Sequence, residues 1–128
     1  MFFSRKTRAR LTLFGGLIIH SCLAAVLVWG SIQPYFISYF RSIDPELTYA
    51  NGALLIPMAG FCMGISNLFA VKISKIMGLK CHIMIFLFFY TLCFFFISRC
   101  KWFPLAIFVL SFMGLCYGMN NITTMMAA

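Results

Sequence analysis

The sequence predicts an all-α integral membrane protein with four transmembrane helices. Residues 11–40, 47–71, 81–98 and 102–128 contain no Asp, Glu, Lys or Arg. A bilayer core of about 30 Å needs roughly 20 apolar residues as a helix, and lipid leaves no partner for unpaired backbone groups. Residues 83–96 are apolar on every face, which excludes the alternating pattern of a barrel strand. With 63% hydrophobic residues, a chain of 128 residues cannot hide this surface in a soluble core.

The first predicted span covers residues 11–40 and follows a basic N-terminus, residues 1–10. Four cationic side chains, Arg5, Lys6, Arg8 and Arg10, precede the first apolar run. A secretory signal peptide has an apolar region of only 7–15 residues, so we expect this longer segment to stay in the protein. Pro34 lacks a backbone donor and predicts a kink within the span.

The remaining spans are predicted at residues 52–71, 81–98 and 102–125. A polar loop, residues 41–51, precedes the second span and contains the only acidic residues, Asp44 and Glu46. Pro57 lies near the start of that span; proline is tolerated best in the first turn of a helix and otherwise bends it. Residues 72–80 read as a short basic turn, and residues 99–101 form the turn before the fourth span.

Charge asymmetry predicts how the helices are oriented. One side receives seven cations and the other receives Arg41, Arg99 and Lys101. Because cytoplasmic loops carry the excess of Lys and Arg, we expect the N-terminus in the cytosol. The net charge of +8 comes from span ends and forms no continuous basic face, so nucleic acid is not an expected partner. The expected partner is the lipid bilayer; which membrane it is stays open.

Two glycine pairs have helix-packing spacing, Gly60 with Gly64 and Gly114 with Gly118. Glycines four residues apart lie on one helix face and allow another backbone to approach closely. The pairs therefore predict helix–helix contacts, either within the chain or in self-association.

Polar residues inside the predicted spans are the candidates for function, because such residues are costly in lipid. They are His20, Gln33, Asn67, Asn120 and Asn121, with Tyr117 beside the last two. His82 follows Lys80 at the start of the third span, and we expect it to be solvated. The sequence contains no catalytic triad, phosphate-binding loop or metal-ligand cluster. We therefore predict no enzyme activity, no cofactor and no metal.

The order of these parts resembles the start of a major facilitator superfamily transporter, in its monocarboxylate and oxalate/formate-exchanger branch. The likeness covers about residues 12–128. Residues 29–36 are similar to that branch's first helix, residues 51–57 to the entry of its second, and residues 114–121 to its glycine-rich fourth. Gly78 and Lys80 match the signature loop between helices two and three, although Lys75 stands where that signature has Asp.

The resemblance implies that residues 11–128 are part of a transporter's N-terminal half, and that the chain is a truncated fragment. Such transporters have twelve helices, so a four-helix chain is not expected to move solute alone. The implied substrate is a small organic anion, if the chain is part of a complete transporter. The residues expected nearest a substrate cavity are Gln33, Tyr35, Tyr117, Asn120 and Asn121.

A different class of function is also open. The alternative to the transporter fragment is a small four-helix membrane scaffold or assembly protein with no transport activity, which explains the absence of catalytic motifs equally well. An ion-channel subunit is less favoured, because the sequence has no acidic ring or filter-like loop.

Overall fold

The computed structural model describes residues 5–24 and 28–127, which form six α-helices and no strand. The helices are α1 (Arg5–Leu23), α2 (Trp29–Ile43), α3 (Tyr49–Gly52), α4 (Leu55–Met77), α5 (Leu79–Arg99) and α6 (Phe103–Ala127). The prediction of an all-α protein is confirmed for this part of the chain.

Three segments of the described chain are long and apolar enough to cross a membrane. They are Tyr49–Met77, Leu79–Arg99 and Phe103–Met125. The 23 residues of α4 and the 21 of α5 correspond to about 35 and 32 Å at 1.5 Å per residue, enough for a bilayer core. The chain is therefore a multi-pass membrane protein whose helices contact lipid, and these segments correspond to the second, third and fourth predicted spans.

The first predicted span, residues 11–40, is not one continuous helix. The chain forms α1, with 19 residues, and α2, with 15, and only α2 contains Pro34. Helix α1 ends at Leu23, before Pro34, whereas α2 continues through Pro34 to Ile43. Fifteen residues span about 22 Å, and the first turns of α1 are basic, so neither helix alone matches a bilayer core. The described residues therefore contain three helical segments that could span a membrane, and not the predicted four.

The predicted basic turn at residues 72–80 is mostly helix. Helix α4 extends past Val71 to Met77, and α5 begins at Leu79. Only Gly78 separates the two helices. Its φ is +82°, a backbone conformation that residues with a Cβ rarely adopt. Because no residue between Val71 and Gly78 breaks a helix, Lys72 and Lys75 lie on the last turns of α4.

Helix α6 lies at the centre of the bundle. Half of the most apolar 18-residue segment of α6 is buried within the protein, whereas the corresponding segments of Tyr49–Met77 and of α5 are 17% buried. It packs against α4 and α5 along its length and also contacts α1. Leu110, Met113 and Cys116 are almost fully buried on α6 and belong to the main apolar core. A polar side chain on α6 can consequently lie against another helix instead of lipid.

The closest approach between α4 and α6 occurs at the glycines of α6. A Cβ at Gly114 would lie 2.9 Å from the carbonyl carbon of Ala59, and a Cβ at Gly118 would lie 2.5 Å from the carbonyl oxygen of Met63. Both distances are shorter than van der Waals contact, so these positions require glycine. Gly60 and Gly64 are exposed and have no atom within 4 Å of an added Cβ. The close contact therefore uses the glycines of one helix only.

Helices α1 and α2 run alongside the bundle, from the end at which α6 finishes to the end at which α6 begins. Three contacts establish this course: Gly16 lies beside Thr124, the Tyr90 hydroxyl on α5 donates to the Leu23 carbonyl at 3.3 Å, and the Phe40 ring packs on Phe103 with centroids 5.5 Å apart. The start of α1 therefore lies at the same end of the bundle as the end of α6.

Candidate functional site

Polar side chains gather around the last turns of α6, in the interior of the bundle. Asn120 and Thr123 are fully buried, and Thr124 is 3% exposed. His82 on α5 is also fully buried and reaches the same turns. We refer to His82, Asn120, Thr123 and Thr124 as the buried polar cluster. The central position of α6 places this cluster between helices, away from lipid.

The two threonines bond to their own helix. Thr123 Oγ1 donates to the Met119 carbonyl at 2.8 Å, and Thr124 Oγ1 donates to the Asn120 carbonyl at 2.6 Å. Bonds of this kind, back to the carbonyl four residues earlier, let a hydroxyl lie inside a membrane helix without an external partner. The threonine hydroxyls are thus satisfied locally, and they add polarity around residues 119 and 120.

His82 links α5 to α6. Its Nε2 lies 3.1 Å from the Met119 carbonyl oxygen, and its ring stacks at a tilt on Phe86 with centroids 4.7 Å apart. A carbonyl oxygen can only accept, so Nε2 carries the proton and donates. In the neutral imidazole this leaves Nδ1 as an acceptor. The expectation that His82 is solvated was wrong, because α5 begins at Leu79 and turns this side chain toward α6.

Several buried polar atoms of the cluster lack a hydrogen-bond partner within the described part of the chain. They are Oδ1 and Nδ2 of Asn120 and Nδ1 of His82; Oδ1 of Asn67 on α4 is a further case. A buried polar group without a partner costs about 1–3 kcal/mol. The amide nitrogen and the amide oxygen of Asn120 therefore carry a desolvation cost that no described residue offsets.

Gln33 and Tyr35 lie on α2, away from the buried polar cluster. Gln33 Nε2 donates to the Gly52 carbonyl at 3.0 Å and so ties α2 to the short helix α3. Tyr35 is 78% exposed on the outer surface. The structure does not bring these two predicted cavity residues together with Asn120.

Tyr117 and Asn121 share α6 with Asn120, and both are half-buried. Tyr117 lines a cavity of about 390 Å³ between α2, α4 and α6, together with Gly30, Gly60 and Gly114. Most of this lining is apolar. Of the five predicted cavity residues, the structure places three on one helix and only Asn120 in full burial.

Gly78 and Lys80 occupy the junction between α4 and α5. Gly78 supplies the positive φ that lets one helix end and the next begin without a loop. Lys80 is exposed, one residue into α5. The junction has a clear structural role, and within the described part of the chain Lys80 makes no side-chain hydrogen bond or ion pair with another helix.

The described side chains supply hydrogen-bond donors and acceptors without a fixed charge inside the bundle. Among them, no group of three or more His, Cys, Asp or Glu lies together in a way that could hold a metal ion. The cluster is suited to binding a polar solute by hydrogen bonds.

His82, Thr123 and Thr124 were missed as candidates from the sequence. A signal for His82 was present: residues 82, 86, 90 and 93 recur at helical spacing on one face of α5, and Tyr90 and Cys93 of this series are buried with His82. The threonines gave no such signal, because their burial depends on which helices surround α6.

Comparisons with known proteins are limited to a short segment. Over 40 residues the chain is 40% identical to a protein named apicoplast pyruvate carrier 1, from Toxoplasma gondii. The match covers 31% of this chain and 7% of that protein, far less than two thirds of its length. No protein-family model matches the chain, and no solved structure matches it.

These findings contradict the resemblance to a major facilitator superfamily transporter. The similarity found is to a protein named as a pyruvate carrier, and the absence of a matching family model leaves the superfamily assignment without support. The assignment was made on short glycine- and aromatic-containing motifs, which recur in membrane helices for packing reasons alone. The match of Gly78 and Lys80 to that superfamily's signature loop therefore assigns them no function.

Proposed function

We propose that this chain takes part in moving a small organic anion of the pyruvate class across a membrane, with Asn120 contacting the solute. The observation that carries the proposal is Asn120, fully buried in the central helix with both amide atoms unpartnered in the described chain. The similarity to a named pyruvate carrier supports the choice of solute. We further propose that the chain is not an enzyme.

A carboxylate suits the donors of the buried polar cluster. Asn120 Nδ2 can donate to a carboxylate oxygen, while Oδ1 can accept from a hydroxyl, a water or a protonated group. Hydrogen bonds to a charged group contribute roughly 1.5–3 kcal/mol, more than neutral ones. A small anion would thus offset the cost of keeping this amide buried in the bundle.

Access to Asn120 requires helix motion. The residue is completely buried, so a solute reaches it only when the helices packed against α6 move apart. Transport by alternating access uses motions of this kind, in which one group of helices rocks against another around a central site. Of the three helices that pack against α6 most extensively, α1 has the smallest contact with it, and many side chains of α1 are exposed, so we propose that α1 moves.

The end of the bundle that carries Arg10, Lys72, Lys75 and Lys80 is proposed to face the cytosol. Arg10 lies beside the end of α6, and the α4–α5 junction lies at that same end through the bond between His82 and Met119. The positive-inside rule then orients the whole chain. In this orientation the buried polar cluster lies in the cytosolic half of the bundle.

Binding of labelled pyruvate to the purified chain in lipid nanodiscs tests the proposal. We expect saturable binding to the wild-type chain, weakened at least about tenfold by Asn120→Leu, since the variant removes a hydrogen bond to a charged ligand. Leucine has nearly the shape of asparagine, so the helix packing is kept.

Thr91→Val is the matched control. Thr91 lies on α5, is exposed, and bonds only to the Leu87 carbonyl of its own helix in the described contacts. The Thr91→Val variant loses a polar group at a lipid-facing position and should bind pyruvate as the wild type does. Absence of saturable binding by a correctly inserted wild-type chain would refute the proposal.

A scaffold or assembly role is the second candidate, and one observation favours it. Gly60 and Gly64 are exposed along one face of α4, where another helix could approach closely. Failure of pyruvate binding together with copurification of partner helices, lost in a Gly60→Leu/Gly64→Leu variant, would support this role.

A further inference from the structure

A groove of about 700 Å³ lies between α1 and the end of α6, and Thr124 is the member of the buried polar cluster that lines it. Leu13, Phe14 and Leu17 of α1 and Met125 of α6 form its apolar wall, and Arg10 stands at one end. The three α1 side chains are each more than 60% exposed. In a membrane protein such a surface is in contact with lipid, and here it forms a concave path that starts at a cation.

We propose that this groove binds one anionic phospholipid, with its phosphate on Arg10 and an acyl chain along α1. Residues 10, 13, 14 and 17 recur at helical spacing, so the cation and the apolar side chains share one face of α1. Leu17 lies about 10 Å along the helix from Arg10. The order of a charged head followed by an apolar path matches the order of groups in a phospholipid.

Charge complementarity argues for an anionic headgroup. The only acidic residues in the chain, Asp44 and Glu46, lie in the loop between α2 and α3, at the opposite end of the bundle. Arg10 therefore has no carboxylate side chain to pair with at its own end. Lys6 lies one turn earlier on α1 and is exposed, so it adds a second cation beside the headgroup position. Basic sites between helices at the cytosolic surface are known to bind anionic lipid headgroups.

A small free anion fits the groove less well. His20 also lines the groove and is half-buried, but the lining residues between His20 and Arg10 are apolar. A solute such as pyruvate would leave this wall uncovered, whereas an acyl chain covers it. Asn120 does not line the groove, so the lipid site and the proposed solute contact use different residues, and this inference does not depend on the proposed function.

Native mass spectrometry of the chain released from nanodiscs provides the test. The nanodiscs contain equal amounts of phosphatidylglycerol and phosphatidylcholine. We expect one phosphatidylglycerol retained on the wild-type chain in preference to phosphatidylcholine. Arg10→Gln should lower the ratio of bound phosphatidylglycerol to phosphatidylcholine about fivefold, the effect expected of one cation near a membrane surface. Arg10→Lys should retain most of the preference.

Lys72→Gln is the matched control, because Lys72 is an exposed cation at the same end of the bundle that does not line the groove. It should leave the ratio unchanged, and circular dichroism should show equal helix content in all variants. An equal loss in Lys72→Gln would show a general effect of surface charge and overturn the proposal. Displacement of the bound lipid by excess pyruvate, or an Arg10-dependent dimer in place of a lipid adduct, would also overturn it.

Discussion

Replacement of Gly114 by alanine should weaken the contact between α4 and α6. The new Cβ would lie 2.9 Å from the carbonyl carbon and 3.0 Å from the Cα of Ala59. Carbon atoms in favourable contact are about 3.5–4.0 Å apart, so the helices must separate by roughly 0.5–1 Å. The clashing atoms are all backbone, and no side-chain rotation relieves them. Overpacking of this kind costs about 1–3 kcal/mol.

Gly60→Ala is the matched variant that isolates the clash. Alanine favours a helix over glycine by up to about 1 kcal/mol, and both variants gain this effect. A Cβ at Gly60 meets no atom within 4 Å, so only the Gly114 variant carries the steric cost. The free energy of unfolding of the two variants should therefore differ by about 1–3 kcal/mol.

Reversible unfolding in mixed micelles with increasing dodecyl sulfate, followed by the helical signal, measures this difference. We expect Gly114→Ala to unfold at a lower fraction of dodecyl sulfate than Gly60→Ala. A difference below about 0.5 kcal/mol would refute the argument, because α4 and α6 would then approach less closely than the backbone distances require.

Two further predictions concern orientation and the α2–α3 contact. In a variant without native cysteines, Asp44→Cys should react with an impermeant thiol reagent from outside intact cells, and reaction only after permeabilisation would reverse the proposed orientation. Gln33→Leu should destabilise the protein by about 1 kcal/mol, because the Gly52 carbonyl loses its donor at 3.0 Å; an unchanged unfolding midpoint would show that water or lipid headgroups replace that donor.

The sequence alone predicted the spans that depend on hydropathy. Residues 52–71, 81–98 and 102–125 each lie within a helical segment that is long and apolar enough to cross a membrane, or differ from it by about one residue at an end. Where the prediction ended a helix too early, as at Val71, the cause was the assignment of two lysines to a loop. Lysines on the last turn of a membrane helix can extend to the interface, so they do not end the helix.

The candidate site was only partly accessible from the sequence. Asn120 was a candidate because polar residues are costly within an apolar stretch, and it is fully buried. Gln33 and Tyr35 satisfied the same criterion, yet one bonds to a neighbouring backbone and the other faces outward. Polarity identified residues that need an explanation, but it did not distinguish a side chain with a structural hydrogen bond from one whose buried polar atoms have no partner among the described residues.

What the sequence by itself determined is the all-α, multi-pass membrane character of the chain, because lipid imposes that outcome on any long apolar segment. Only the tertiary structure decided that α6 is central, that Gly114 rather than Gly60 meets a backbone, and that His82 is buried. Hydropathy is nearly uniform around these helices, so it cannot say which face meets protein and which meets lipid. That choice depends on how closely backbones can approach and which side chains fill the space between them.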